Sequence, residues 1–348
     1  ALDITDPYDP QPLWEFNHGR LGETWSRPAF GRVTRGGVTT WVAFTGSGYD
    51  NDISLSIGDC FYSIDLEIGE PFWLFNAPDE DTSPLHGWNI RNVIPGSPSI
   101  IDVDQDGLID FVYIGDLDGR IWKVDVTPDF KKTTNWTAEI LYEDAQNYPI
   151  YSRPTVWLDP VSTAGIPRLY FGTGGDDNAP NDTTYSFIAL LDSNNPEVEW
   201  YLGDPGLLNL DPAKDMGDLG VGEKVWADPV IANSIVYFNT LTGSIESVDP
   251  CENLAGVGKL YGRYIQTVAG SAIGGTAFRD ASGTLNSLDL ESKTRSAVTL
   301  GGTERTADGT RKREVYIQEY DSTIQKLEQA IGAILKIRSW REVYKVIR

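Results

Sequence analysis

From Ile101 to Asp116 the sequence reads IDVDQDGLIDFVYIGD, and inside it lies the pattern D-x-D-x-D-G-x-x-D: Asp102, Asp104, Asp106, Gly107 and Asp110. Carboxylates at loop positions one, three and five can converge on one hard cation, and glycine at position six permits the sharp turn. Position seven, Leu108, offers its backbone carbonyl. Position nine, Asp110, adds a carboxylate directly or through water. Calcium takes about six to eight oxygens at about 2.3–2.6 Å, whereas magnesium demands stricter octahedral geometry and keeps its waters. The expected cofactor is therefore Ca2+, and the expected ligands are Asp102, Asp104, Asp106, Leu108 and Asp110. The twelfth position, where a helical calcium loop places Glu, is Tyr113. Apolar FVYIG follows the loop, so it joins two strands rather than two helices.

Other candidate chemistry is sparser. With two His and two Cys in the chain, there is no material for a multi-His metal centre and little for His-based proton transfer. His18 and His86 read as surface or packed residues. GYDNDIS from Gly48 and GGDDNAPNDTT from Gly174 are acidic insertions in turns, read as surface loops with a second ion as the alternative. Asn135-Trp136-Thr137 and Asn181-Asp182-Thr183 match the glycosylation spacing. No catalytic residue can be named.

The elements that must position the acidic loop show in an internal repeat. VYIGDLDGRIWKVD (Val112–Asp125), VYFNTLTGSIESVD (Val236–Asp249) and VYIQEYDSTIQKLE (Val315–Glu328) align without a gap. Each has an apolar triplet, a turn, Ile, and an apolar-acidic pair. AFRDASGTLNSLD, from Ala277, is a looser copy. Two more copies carry insertions, beginning VAFTGSG at Val42 and LYFGTGG at Leu169. The third residues of the six triplets are Phe44, Ile114, Phe171, Phe238, Phe278 and Ile317. A proline marker precedes most copies: TWSRPAF, GSPSII, YSRPTVW and WADPVI. Proline fits the first residue of a strand, where no ladder donor is needed, so these are expected to be the innermost strands of blades. The repeat sets Cys60 before one third strand and Cys251 after the equivalent strand elsewhere, which argues against a disulfide.

Repeated four-stranded units expose both faces unless packed radially, so the expected fold is an all-β β-propeller of six or seven blades, one domain over residues 1–348, with sandwich and solenoid as alternatives. PLWEFN near the start resembles EPFWLFN and is expected to be an outer strand closing the ring with the C-terminus. Trp residues, 11 in number, are expected mostly between blades. With 28 basic and 51 acidic residues the net charge is −23. That excludes a nucleic-acid binder and disfavours an anionic membrane surface, and no apolar run is long enough for a membrane helix. The chain lacks an initiator Met and a signal pattern, as an excised piece of a longer protein would.

GETWSRPAF, PGSPSIIDVDQDGLIDFVYIGDLDGRIWKVDV, YFGTGGDDNAPNDTTYSFIAL, SKTRSAVTLGG, REVYIQEYDSTIQKLEQ and SWREVY together resemble the C-terminal domain of the PilY family, the tip adhesins and biogenesis factors of bacterial type IV pili. They span about Gly22 to Tyr344. The resemblance implies a modified seven-bladed propeller with calcium in the 102–110 loop and secretion to the cell surface or pilus tip. It also implies a longer native protein with an adhesive N-terminal region, and partners among pilus proteins such as minor pilins. In the family, calcium occupancy antagonises pilus retraction. Some members bind host integrins through Arg-Gly-Asp, which this chain does not contain. The expected function is thus a calcium-binding, non-enzymatic pilus module. The alternatives are a carbohydrate- or protein-binding scaffold and, more remotely, a quinoprotein dehydrogenase, whose adjacent cysteines have no counterpart here.

Overall fold

Along Val112-Tyr113-Ile114 successive side chains point to opposite faces of a strand. Each face meets a different sheet. Val112 and Ile114 pack with Val42, Phe44 and Phe61 of the sheet before, while Tyr113 packs with Leu169, Phe171 and Ile188 of the sheet after. The same alternation repeats along the chain. Phe171 faces back and Tyr170 faces forward, onto Val236 and Phe238; Tyr237 faces forward onto Val315 and Ile317. The core is therefore a series of seams between consecutive sheets, which is the packing of a β-propeller.

The computed structural model describes residues 1–50, 57–76, 93–128, 136–159, 165–206, 210–242, 258–267, 271–280, 283–290, 297–305, 311–318 and 324–331. All its sheets are antiparallel, and one short 3-10 turn spans Pro212–Lys214. The first blade comprises Ala29–Arg35, Val38–Gly46, Cys60–Asp65 and Pro71–Asn76; the second Ser99–Ile101, Phe111–Gly115, Arg120–Asp125 and Thr137–Glu143. The third comprises Thr155–Leu158, Pro167–Gly172, Ser186–Leu191 and Glu197–Gly203. The fourth is built on Val230–Ala232, Ile235–Thr242, Gly258–Tyr264 and Leu288–Leu290, and a fifth sheet on Thr299–Arg305, Arg311–Gln318 and Ile324–Ile331.

The proline marker does what its sequence suggests. Ala29, Ser99, Thr155 and Val230 each follow a marker proline and begin an edge strand. These four strands pack one against the next, first to second, second to third and third to fourth, and so line the axis. Trp25, at the start of the ring, shares a pocket with Ala297, which leads into the fifth sheet. The array thus curves back toward its beginning. Trp122 and Trp136 fill the first seam and Trp200 the third, as expected of blade-to-blade tryptophans.

Three sequence expectations are corrected. In the first copy Phe44 stands where the second residue of the other triplets does, with Tyr113, and not at the third position. Phe44 faces forward into the first seam and Ala43 faces away. Gly46 there takes the place of Gly115 and Gly172, where a Cβ would meet Ile94, Ile150 and Val225 respectively within 2.6 Å. A one-residue slip exchanges the two faces of a strand, and the insertion after Gly46 hid it. The looser copy from Ala277 is not a blade either. Among the described residues Phe278–Asp280 and Gly283–Leu285 pair only with each other, and Leu288–Leu290 is the outer strand of the fourth blade. Finally, PLWEFN is not an outer strand. Gln11–Pro12 pairs with Leu2–Asp3, and Trp14 and Phe16 cover the outward face of the first blade at Ala43, Cys60, Tyr62 and Ile64. The indole of Trp14 donates to the Leu66 carbonyl at 2.9 Å.

Candidate metal centre

The acidic loop fills the corner between the innermost and second strands of the second blade. Its turn is made by two residues of positive φ, Gln105 at 60° and Gly107 at 88°. The left-handed region suits glycine and is tolerated at a single other residue. This winding aims backbone amides inward. Asp102 accepts from the Asp106 amide at 3.2 Å and the Gly107 amide at 2.7 Å, and Asp106 accepts from the Leu108 amide at 2.9 Å.

The loop is anchored at both ends. Asp110 donates its amide to Ile101 and accepts at its carbonyl from Val126, both at 2.9 Å. The Asp110 carboxylate, 5% exposed, accepts from the Val103 amide at 2.8 Å. Ile109 donates its amide to the Arg32 carbonyl of the first blade at 2.9 Å and buries its side chain in the seam between the first two blades. Leu108 is buried beside it.

Carboxylate oxygens of Asp102, Asp104 and Asp106 lie within 4.8 Å of one another. Oxygens bound to one calcium at about 2.3–2.6 Å are at most about 5 Å apart, so the trio fits a single ion of that size. The donor set is oxygen only and exposed on the side of Asp104 and Asp106. Asp110 stands apart from the trio: one of its oxygens is committed to the Val103 amide. Among the described residues no other group of acids meets the same criterion.

The second acidic insertion is closed over an internal cation instead. Lys224, buried, donates to the carbonyls of Asp176 and Ala179 at 3.2 and 2.6 Å. Neighbouring Glu223, also buried, accepts from Tyr261 at 2.7 Å and Thr240 at 3.0 Å and pairs with Lys259. Of the first insertion, residues 51–56 lie outside the described residues, as do His86, Asn135 and Cys251. Asn181 is exposed. His18 packs on the first blade, its ring nitrogen 2.9 Å from the Tyr62 hydroxyl. Cys60 is buried, and burial pushes its thiol up to about 11.

Sequence reading missed two buried carboxylates that shape turns. Asp116 accepts from the amides of Asp118 and Arg120 at 3.0 and 2.9 Å and from the Trp122 indole at 2.7 Å. Asp144 accepts from the amides of Gln146 and Tyr148 at 3.0 and 3.1 Å. Burial raises them to about 6 and about 7. The available signal was an acid two residues past the triplet ending at Ile114 and an acid directly after the outer strand Thr137–Glu143, positions suited to Asx-type turns.

No family model matches the chain. It is 32% identical over 131 residues to the type IV pilus biogenesis factor PilY1 of Pseudomonas aeruginosa, covering 36% of this chain and 10% of that protein. It is 26% identical over 226 residues to the PilY1 homolog of Xylella fastidiosa, covering 57% of this chain and 14% of that protein. The crystal structure of the Pseudomonas aeruginosa PilY1 C-terminal domain superposes with a TM-score of 0.53 over 94% of this chain and 77% of that one, at 16% identity. The chain resembles the PilY C-terminal domain in sequence and in fold. The PilY1 proteins are far longer than the matched regions, about a tenth to a seventh of their length. Among the described residues no helix is long and apolar enough to cross a membrane.

Proposed function

We propose that this chain is a calcium-binding, non-enzymatic module of a type IV pilus biogenesis factor and adhesin, acting outside the cell. The observation that carries the reading is the convergence of Asp102, Asp104 and Asp106 within 4.8 Å in a loop tied to two blades. Those three carboxylates, the Leu108 carbonyl and Asp110 would hold the ion. Ion binding offsets the repulsion among the acids and, because it favours the folded loop, stabilises the propeller by linkage. Ile109 joins that loop to the Arg32 carbonyl, so the seam between the first two blades is where occupancy would be felt. The likeness to PilY proteins supports a role in pilus assembly and in the balance of extension against retraction, with pilus proteins as partners. The test is surface motility of bacteria carrying the full-length protein with Asp104→Ala. The reading expects pilus-dependent movement to change while protein level is unchanged; movement identical to wild type would count against it.

A further inference from the structure

We infer that the axial mouth of the propeller is a binding site for a neutral sugar ring. A pocket of about 280 Å3 opens there, bounded by the turns that carry the proline markers. The first four blades each bring a different group: Trp25 and Arg27 from the first, Ser97 from the second, Tyr151 from the third, and Trp226 with Asp228 from the fourth. This volume lies just below the range that small-molecule sites occupy, about 300–1,000 Å3, and suits one ring rather than a chain of them.

The lining pairs aromatic plates with a few fixed polar groups, the composition of a small-molecule site. Trp25 leaves 65% of its surface exposed. Tyr151 and Trp226 stand with ring centroids 5.4 Å apart and planes at 60°, so they form a corner rather than a flat stack. Asp228 is held rigid. Its carboxylate accepts from the Arg153 amide at 2.9 Å and pairs with Arg27 and Arg153. A carboxylate has about four lone-pair positions, so Asp228 keeps acceptor capacity for a hydroxyl. The Ser97 hydroxyl accepts from the Arg27 amide at 2.9 Å and retains its own proton to donate.

A pyranose presents a C–H face that packs on an indole and hydroxyls at its edge that both donate and accept. That combination meets this lining. A simple anion meets it less well, because the one cation in the lining, Arg27, is already paired with the one carboxylate there, Asp228. The site is independent of the calcium reading: none of its residues belongs to the 102–110 loop.

The test is saturation-transfer NMR and tryptophan fluorescence on the wild-type chain with glucose, galactose, mannose, N-acetylglucosamine and glucuronate. At least one neutral sugar should bind saturably. Trp25→Ala should weaken it about tenfold or more, and Trp25→Phe should restore most of the loss. Trp25 is exposed, so these variants leave the fold intact, which circular dichroism checks. Absence of saturable binding by every neutral sugar, binding of glucuronate alone, or binding indifferent to Trp25→Ala would each overturn the proposal.

Discussion

The backbone amide of Arg153 donates to the carboxylate of Asp228 at 2.9 Å, joining the third blade to the fourth. The same relationship joins the first blade to the second, where the Arg27 amide donates to the Ser97 hydroxyl at 2.9 Å. In both cases the residue before one marker proline is bonded by the residue before the next. After the prolines, Ser99 and Thr155 donate their hydroxyls to the Pro154 and Pro229 carbonyls. The marker is thus a latch between blades as well as a strand start. Asp228→Ala leaves a partly buried amide without its acceptor, at a cost of about 1–3 kcal/mol. The unfolding midpoint in urea should fall, and Asp228→Asn, which keeps an acceptor for the amide, should recover part of it.

Acidity should stabilise the protein through Asp144. Its folded pKa, raised by burial to about 7, lies above the unfolded value of about 3.9. Between those two values the folded state binds the extra proton, so this group's contribution to stability rises as pH falls from 7 and is complete below about 4. Asp116, raised to about 6, acts in the same direction over a narrower window. In Asp144→Asn the amide oxygen keeps the bonds from Gln146 and Tyr148. Thermal melts from pH 8 to pH 5 should therefore show a flatter profile for this variant than for wild type.

Gly115 should tolerate no side chain. A Cβ there would lie 2.6 Å from both the Ile150 methyl and the Ile150 carbonyl oxygen. Gly115→Ala should cost about 1–3 kcal/mol by overpacking. Trimming Ile150 to Ala in the same chain should not rescue it, since the carbonyl remains. Urea midpoints of the single and double variants decide.

Cys60 should be inert while the chain is folded. Only the thiolate is nucleophilic, and burial holds this thiol near 11. In a Cys251→Ser background, where Cys60 is the sole cysteine of the sequence, a thiol reagent at pH 8 should label it only after unfolding. Rapid labelling of the native protein would show that the first blade opens.

Much of the ring was legible because period-two alternation and period-of-a-blade repetition coincide. Tyr113, Tyr170 and Tyr237 could be read as facing one neighbour, and Ile114, Phe171 and Phe238 as facing the other. The slip at Phe44 and the half-copy at Phe278 were not legible, since both depend on contacts distant in sequence: Ile94 packed close on Gly46, and Gly258–Leu260 paired with Leu288–Leu290. The loop's three leading carboxylates follow from their spacing, which the winding at Gln105 and Gly107 brings together. The role of Asp228 was hidden because a polar residue before proline has many uses, and only the neighbouring blade shows which one applies.

Isothermal titration of calcium into the metal-free chain tests the central claim most directly. The expected result is one ion per chain, with affinity in the range of about 10⁻⁴–10⁻³ M typical of extracellular modules or tighter, and loss of the heat in Asp104→Ala, where an exposed carboxylate is removed. No heat at millimolar calcium, or binding unchanged in the triple variant Asp102→Ala, Asp104→Ala and Asp106→Ala, would contradict it.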